Sequence, residues 1–177
     1  MDAALPSALW GRMITVDQAQ DEQPLGEAAD FVTPRGVIAQ LRGVANKKQL
    51  LQELARRAAT VTGIADRRIY EALAERERLG TTGIGAGVAI PHSRLPELTR
   101  LYGLFARLER PVAFEAIDDQ PVDLVFLLLA PLDAGADHLK ALARMSRLLR
   151  DRGTCEKLRG ANSADALYVL LTGNPAG

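Results

Sequence analysis

The sequence has little cysteine, few aromatic residues and no long apolar run, and each shortage excludes a class of protein. Cys155 stands alone among 177 residues, so the chain cannot form an internal disulfide, and a reducing compartment is expected. No apolar run reaches the roughly 18 residues that a membrane span needs. The chain also does not open with a basic segment followed by an apolar core. We therefore expect a cytoplasmic protein without membrane insertion.

The chain has no net charge and few of the histidine and cysteine side chains that bind zinc. The chain has 22 basic and 22 acidic residues with 5% aromatics, which does not indicate a nucleic-acid-binding surface. Two histidines, one cysteine and no Cys-x-x-Cys pair do not supply a structural zinc site, and no serine lies in a G-x-S-x-G motif. The length fits one domain with a sizeable core. We expect no metal, no cofactor and no nucleic-acid partner.

The most informative segment is rich in glycine and ends in a histidine. Residues 80–92 read GTTGIGAGVAIPH. Glycines permit positive φ and let backbone N–H groups turn toward an anion. Residues 88–90 predict a short strand, and since Pro91 lacks an N–H, we expect the ladder to end there and His92 to leave the sheet at its carboxyl edge. This pattern favours a histidine displayed for chemistry; the alternative is a tight turn with a solvated His92.

Two familiar phosphate-binding motifs do not fit this segment. Gly83, Gly85 and Gly87 form G-x-G-x-G before a strand, whereas a dinucleotide fingerprint has G-x-G-x-x-G and opens a helix. A P-loop needs Gly-Lys followed by Ser or Thr, and no lysine lies between Lys48 and Lys140. ATP or NAD binding is therefore not expected.

Hydrophobic periodicity predicts strands alternating with helices. Strands are predicted over 37–41, 101–108 and 122–130, the last an apolar central strand covered on both faces. One helix is predicted from a cap at Asn46 to Thr60, a second from a cap at Asp66 to a stop at Gly80, and a third after a cap at Asp137. Two shorter helices are predicted over 154–159 and 163–171. The helix after Asp137 would face the sheet with Leu139, Leu142, Met145 or Ser146, and Leu149. The alternation predicts an α/β sandwich.

His138 lies in the first turn of the helix that Asp137 is expected to cap. The positive end of the helix dipole disfavours imidazolium there and favours the neutral ring. A histidine in a first turn is by itself more often a surface residue than a catalyst. His92 and His138 each follow a predicted strand, however, and if the two strands run parallel, both rings project from one edge of the sheet.

The glycine segment, the R-E-R-L-G of residues 76–80 and the Ser-Arg-Leu of 93–95 together resemble a family signature. They resemble the enzyme IIA domains of the bacterial phosphoenolpyruvate-dependent phosphotransferase system, most closely the nitrogen-related branch. The resemblance continues through 114–124, 138–139, 155–159 and 164–168. It implies a three-layer sandwich in which a mixed β-sheet is flanked by helices on both faces.

The resemblance also sets the expected domain limits. It implies an enzyme IIA domain of type 2 over residues 25–173. Residues 17–24 show no helical or strand period, and we expect residues 1–24 to form a disordered N-terminal tail and residues 174–177 a C-terminal tail.

The resemblance implies a role for several side chains. Nε2 of His92 would take a phosphoryl group, with Arg76 and His138 as its catalytic partners. Nδ1 must then keep its proton, held by an acceptor that the sequence does not identify. The expected phosphoryl-binding residues are Thr81, Thr82, Gly83, Gly85 and Arg94.

Three functions follow from this resemblance. The first is a phosphocarrier and regulator that receives phosphate from an HPr-like phosphohistidine carrier and signals nitrogen or carbon status through phosphorylation-dependent binding. Its expected targets include potassium-transport regulators and sensor kinases. The second is a sugar-specific component of the fructose and mannitol type, which passes phosphate to a IIB domain. The third is an interaction module without chemistry, which the presence of both His92 and His138 disfavours.

Overall fold

The computed structural model describes residues 28–173. The two expected tails, 1–24 and 174–177, lie outside these residues, as do residues 25–27, so the expected domain limits stay a prediction. After a 3₁₀ turn at Ala28–Asp30 the elements are β1 (Val32–Leu41), α1 (Lys47–Thr62), α2 (Asp66–Arg78), β2 (Gly83–Gly85), β3 (Val88–Ala89), β4 (His92–Leu95), β5 (Tyr102–Val112), β6 (Val122–Pro131), α3 (Gly135–Arg150), α4 (Arg152–Gly160) and α5 (Ala164–Thr172).

The strands form one mixed sheet with β6 at its centre. The order is β1-β5-β6-β3-β2, and β4 pairs with β6 beyond the end of β3. β6 runs antiparallel to β5 and parallel to both β3 and β4, while β1 is parallel to β5. The two strands that precede the histidines, β3 and β6, are therefore parallel, as the sequence-based hypothesis required.

Helices cover both faces of this sheet. On one face Val125 and Leu127 of β6 pack in a cluster with apolar residues of α1 and α2. On the other face Leu124, Phe126 and Leu128 pack in a second cluster with residues of α3, α4 and α5. The alternation of buried side chains along β6 is what a central strand between two helical layers requires. The predicted three-layer α/β sandwich is confirmed.

The predicted caps are correct for α1 and wrong for α2 and α3. The side chain of Asn46 accepts a hydrogen bond from the amide of Gln49 at 2.8 Å, and α1 continues past Thr60 to Thr62. Asp66 is instead the first residue of α2, and Asp137 lies in the first turn of α3, with no side-chain cap at either helix. Acidic residues favour the first turn for the same electrostatic reason that they favour the cap, so sequence alone did not separate the two positions.

In the first half of α3 the buried face lies one residue earlier than predicted, although Met145 and Leu149 are buried as expected. Leu139 is 66% exposed, whereas His138, Ala141, Met145 and Leu149 are buried. Helical spacings of three and four residues fit a buried face that begins at residue 138 as well as one that begins at residue 139. The face that begins at residue 138 is the one observed, and it places His138 in the interior.

The other differences are at element ends. β1 begins at Val32 although Pro34 interrupts the apolar pattern, because β1 is an edge strand, where proline is tolerated. α4 begins after an N-cap at Asp151, earlier than expected, and includes Gly160. Within residues 28–173, none of the helices has the length and apolar composition that crossing a membrane requires.

Candidate active site

His92 lies within the sheet. It is the first residue of β4 and pairs with Leu128 in the parallel ladder between β4 and β6. Pro91 has no N–H, but its carbonyl oxygen accepts a hydrogen bond from the amide of Leu128 at 3.0 Å, so the ladder resumes after it. The expectation that His92 leaves the sheet is therefore wrong, and its backbone is fixed against the central strand.

The imidazole of His92 is held in one tautomer. Its Nδ1 lies 2.8 Å from the carbonyl oxygen of Ile90. Because a carbonyl can only accept, Nδ1 carries the proton and Nε2 keeps a lone pair. Burial lowers the pKa of His92 and the positive charge of Arg76 lowers it further, against the opposing effects of the Ile90 hydrogen bond and the Glu77 carboxylate. The ring is thus biased toward the neutral form with a free Nε2.

His138 lies beside His92. The two ring centroids are 5.5 Å apart with the ring planes inclined at 55°. His138 is only 6% exposed, and its Nε2 makes no hydrogen bond within residues 28–173. Burial, the neighbouring His92 and Arg94 together lower the pKa of His138 to about 4. At neutral pH the second ring is therefore uncharged and has an unsatisfied polar atom beside the first.

Two cavities touch His92, and both include Arg76. The larger cavity, of about 550 Å³, lies between α2, β4 and α3. Its lining includes Arg76, Leu79, His92, Arg94, Leu132, His138 and Leu139. The smaller cavity, of about 230 Å³, is lined by Arg76, Thr81, Thr82, Ile84, Ile90, His92, Leu142 and Ser146. The structure thus brings together six of the eight site residues expected from the sequence.

Two arginines border the larger cavity. The guanidinium of Arg76 donates to the carbonyl oxygen of Gly80 at 2.9 Å, which holds the side chain at the end of α2. Arg94 is more exposed, and its guanidinium lies 3.4 Å from the carbonyl oxygen of Leu132. Each guanidinium has five N–H donors, so both keep donors for an anion.

The Thr81–Thr82 turn is held by the carboxylate of Glu77. Both oxygens of Glu77 accept from the backbone N–H of Thr82 at 3.2 Å, and the Thr82 hydroxyl also donates to Glu77. Lys47 pairs with Glu77 at 2.9 Å. Nothing in the local sequence indicates this network, because Lys47 comes from the start of α1.

The glycines of the segment serve packing and turns. A Cβ on Gly83 would lie 2.7 Å from the Cβ of Ala116, and the Gly83 amide donates to the Thr81 hydroxyl at 3.1 Å. Gly85 has a φ of 105° and lies against Asp118, whose carboxylate accepts from the amide of Ala86 at 2.9 Å. The structure places Gly83 and Gly85 in the β2–β3 hairpin that supports the site, and Thr81 and Thr82 in the smaller cavity.

A clamp from α4 holds the same hairpin. Gly87 has a φ of 81°, and a Cβ there would lie 2.5 Å from a guanidinium nitrogen of Arg159. That guanidinium makes two bonds with the carboxylate of Asp123, at 2.8 and 2.9 Å, and donates to the carbonyl oxygen of Ala86 at 2.9 Å. The hairpin before His92 is thus fixed from the far end of the chain.

Three exposed leucines surround the larger cavity. Leu79, Leu132 and Leu139 are 82%, 58% and 66% exposed, and they come from the end of α2, the β6–α3 loop and the first turn of α3. Large apolar side chains gathered on a surface commonly mark a protein interaction site. Helical spacing predicts an interior position for Leu139, so the sequence alone does not indicate this exposed apolar surface.

The residues of the site do not form a metal centre. Within residues 28–173, no group of three or more His, Cys, Asp and Glu side chains is placed to hold a metal ion. What the arrangement offers is a neutral nucleophilic nitrogen, a second neutral imidazole and two arginines at one cavity. This set suits transfer of a small anionic group to His92.

The chain belongs to the family described as "Phosphoenolpyruvate-dependent sugar phosphotransferase system, EIIA 2", whose sequence model matches residues 31–173. A protein of Bradyrhizobium diazoefficiens named "Nitrogen regulatory protein" is 57% identical over 147 residues, which cover 83% of this chain and 95% of that protein. The "PTS system fructose-specific EIIA component" of Haloferax volcanii is 34% identical over 141 residues, covering 80% of this chain and 92% of that protein.

The fold is that of a solved relative. The crystal structure of nitrogen regulatory protein IIA-Ntr from Neisseria meningitidis superposes with a TM-score of 0.78 at 32% identity, and the match covers 81% of this chain and 98% of that one. The resemblance inferred from the glycine segment and the histidines is confirmed at the level of the family, and relatives of the nitrogen-related branch are among its matches.

Proposed function

We propose that this protein is a phosphocarrier and regulator whose His92 accepts a phosphoryl group on Nε2 from an HPr-like phosphohistidine carrier. The observation that carries the proposal is the contact of 2.8 Å between Nδ1 of His92 and the Ile90 carbonyl oxygen. It leaves Nε2 as the nitrogen with a free lone pair.

The transfer is a direct exchange of phosphorus–nitrogen bonds. As the bond from phosphorus to Nε2 of His92 forms, the bond from phosphorus to the donor imidazole breaks, and the donor ring leaves with that electron pair. The proton on Nδ1 stays in place, shared with Ile90. Positioning and electrostatic stabilisation provide most of the catalysis in phosphoryl transfer, so the groups around His92 determine the rate.

Four side chains would stabilise the transferring group. Arg76 borders both cavities that touch His92, so its guanidinium can meet the phosphoryl oxygens with a fork of donors. His138 brings an unsatisfied ring nitrogen to the same cavity. Arg94 adds charge from the exposed side, and Thr81 adds a hydroxyl. We assign Thr82, Gly83 and Gly85 to support of this arrangement.

The donor would dock on the exposed leucines. Leu79, Leu132 and Leu139 surround the cavity that contains both histidines, and an apolar contact there excludes water from the transferring group.

Labelling tests this assignment. The protein is incubated with phosphoenolpyruvate, enzyme I and the HPr-like carrier, and the product is tested for an acid-labile, alkali-stable modification. His92→Ala should abolish the label, and His138→Ala should slow it without abolishing it. A label that persists in His92→Ala and vanishes in His138→Ala refutes the proposal.

The regulatory output follows from the charge that phosphorylation adds. A phosphoryl group brings up to roughly two negative charges to the rim of the larger cavity. Partners that dock over apolar surface would be repelled, and partners with arginine clusters would be attracted; about 1.4 kcal/mol of difference changes affinity tenfold. We expect the unphosphorylated protein to bind a potassium-transport regulator or a sensor kinase. Equal affinity of both forms for each partner captured from native cytosol would refute the signalling role.

A sugar-specific role is the second candidate. It is favoured by the 34% identity to a fructose-specific EIIA component, and disfavoured by the higher 57% identity to a nitrogen regulatory protein. Phosphorylated protein is mixed with IIB domains of the fructose and mannitol types, and rapid loss of the label to either domain would establish this alternative.

A further inference from the structure

Glu77 is a nearly buried carboxylate beside the proposed site. Its side chain is 6% exposed, although Glu75 and Arg78 on the same helix are exposed. It is fully engaged: its oxygens accept from the Thr82 amide and hydroxyl and pair with Nζ of Lys47 at 2.9 Å. Burial of an ion pair at such a position costs desolvation, so stability alone is a weak reason for it to be there.

The network borders a cavity that His92 also lines. Thr82 lines the smaller cavity together with His92 and Arg76, and Arg76 is the residue before Glu77. The Glu77–Thr82 contacts therefore fasten the end of α2 to the turn that lines this cavity. Burial lowers the pKa of His92 most and Arg76 lowers it further, whereas the hydrogen bond to Ile90 and the carboxylate of Glu77 oppose this shift. Glu77 and Arg76 therefore act on the charge of the ring in opposite directions.

Lys47 balances this charge from the other side of Glu77. Its Nζ lies 4.6 Å from the centroid of the Phe114 ring and 3.4 Å from the carboxylate of Glu115, which is 84% exposed. The ion pair is therefore arranged with its negative member toward the Thr82 turn and its positive member toward Phe114.

On the basis of the proposed function, we propose that Glu77 is a positioning residue whose negative charge, held by the Thr82 turn next to the cavity that His92 lines, limits how tightly the protein keeps the phosphoryl group. The group brings roughly two negative charges at neutral pH. A fixed carboxylate nearby raises the free energy of the phosphorylated state relative to the free state, while Arg76 lowers it. The balance keeps the phosphoryl group transferable.

The equilibrium of phosphoryl exchange with the HPr-like carrier tests this proposal. Purified protein and phosphorylated carrier are mixed, and ³¹P NMR gives the ratio of the two phosphohistidines. Glu77→Gln keeps the shape and an acceptor for the Thr82 amide but removes the charge, so the ratio should shift toward the phosphorylated protein by about threefold or more. Lys47→Met leaves the Glu77 charge uncompensated, so the ratio should shift the other way.

Opposite shifts are what distinguish a charge effect from a structural one. Damage to the turn would lower the ratio or the rate in both variants, so shifts in the same direction, or no shift, overturn the proposal. Glu71→Gln is the matched control, because Glu71 lies on α2 with a side chain 59% exposed and should leave the ratio unchanged. If Glu77→Gln does not fold, Lys47→Met is compared with Lys47→Arg, which keeps the positive charge. A ratio that falls in Lys47→Met and stays at the wild-type value in Lys47→Arg supports the proposal, and any other pair of results overturns it.

The same experiment separates this inference from the proposed function. Wild-type protein that takes no phosphoryl group on His92 refutes the function and the inference with it. Wild-type protein that is phosphorylated on His92, with an equilibrium that Glu77→Gln and Lys47→Met leave unchanged, refutes the inference alone.

Discussion

Burial of His138 should make the stability of the fold depend on pH between about 4 and 6.5. The pKa of this ring falls from its ordinary 6.5 to about 4, chiefly because the ring is buried and also because His92 and Arg94 lie near it. Unfolded chain therefore binds the proton in a range where folded protein does not, and the free energy of unfolding rises with pH across that range. Since one pKa unit corresponds to about 1.4 kcal/mol, acidification through this range should cost about 3 kcal/mol from this group.

Urea denaturation at a series of pH values measures the effect. His138→Asn keeps a neutral polar side chain that does not titrate, and the carboxylates titrate in both proteins, so the difference between the two curves isolates His138. The wild type should lose about 3 kcal/mol more than the variant between pH 6.5 and pH 4.

Two results would refute this reasoning. The first is a pair of stability curves that stay parallel through the range. The second is an NMR titration in which the His138 ring protonates near its ordinary pKa, which would mean that the ring is hydrated in solution.

Two further predictions concern Arg76 and Gly87. Arg76→Ala should raise the barrier to phosphoryl transfer by about 2–4 kcal/mol with little loss of stability, and Arg76→Lys should recover only part of the lost rate. The rates are measured by stopped flow, with Arg78→Ala as the control because Arg78 is exposed on the same helix. A rate for Arg76→Ala equal to that of the wild type would show that another residue stabilises the transferring group. Gly87→Ala should destabilise the fold by about 2 kcal/mol or more in thermal unfolding, because of its positive φ and the contact with Arg159, whereas Gly135→Ala, with nothing within 4 Å, should not.

Local chemistry was enough to predict much of the fold. Asn46 caps its helix as expected, and the helix predicted over 163–171 forms as α5, with Ser163 as its N-cap and Gly173 at its end in the left-handed conformation. The apolar run of β6 predicted a strand buried on both faces, which is where the sheet has its centre. Each of these features depends on residues within a few positions of one another, so a single sequence contains the information.

Features that depend on distant residues were not predictable in the same way. The pairing of Lys47 with Glu77 and the clamp from Arg159 to Asp123 join segments that meet only in the folded chain. The missing N–H of Pro91 predicts the end of a ladder, and the sequence does not show that its carbonyl oxygen accepts a hydrogen bond from Leu128. The exposed Leu139 was assigned to the core, since amphipathic spacing alone leaves the helix register open.

The place of His92 in the ladder beside β6 has a consequence for the time scale of recognition. Backbone bonded to a central strand opens only with a large part of the fold, whereas a surface loop opens with little cost. The amide of Leu128, which donates to the carbonyl oxygen of Pro91, should therefore belong to the slowest-exchanging region in hydrogen exchange. Nε2 of His92, the proposed phosphoryl acceptor, should then stay in one position while a partner arrives and departs, and adaptation to different partners is left to the exposed side chains around it and to the partners themselves.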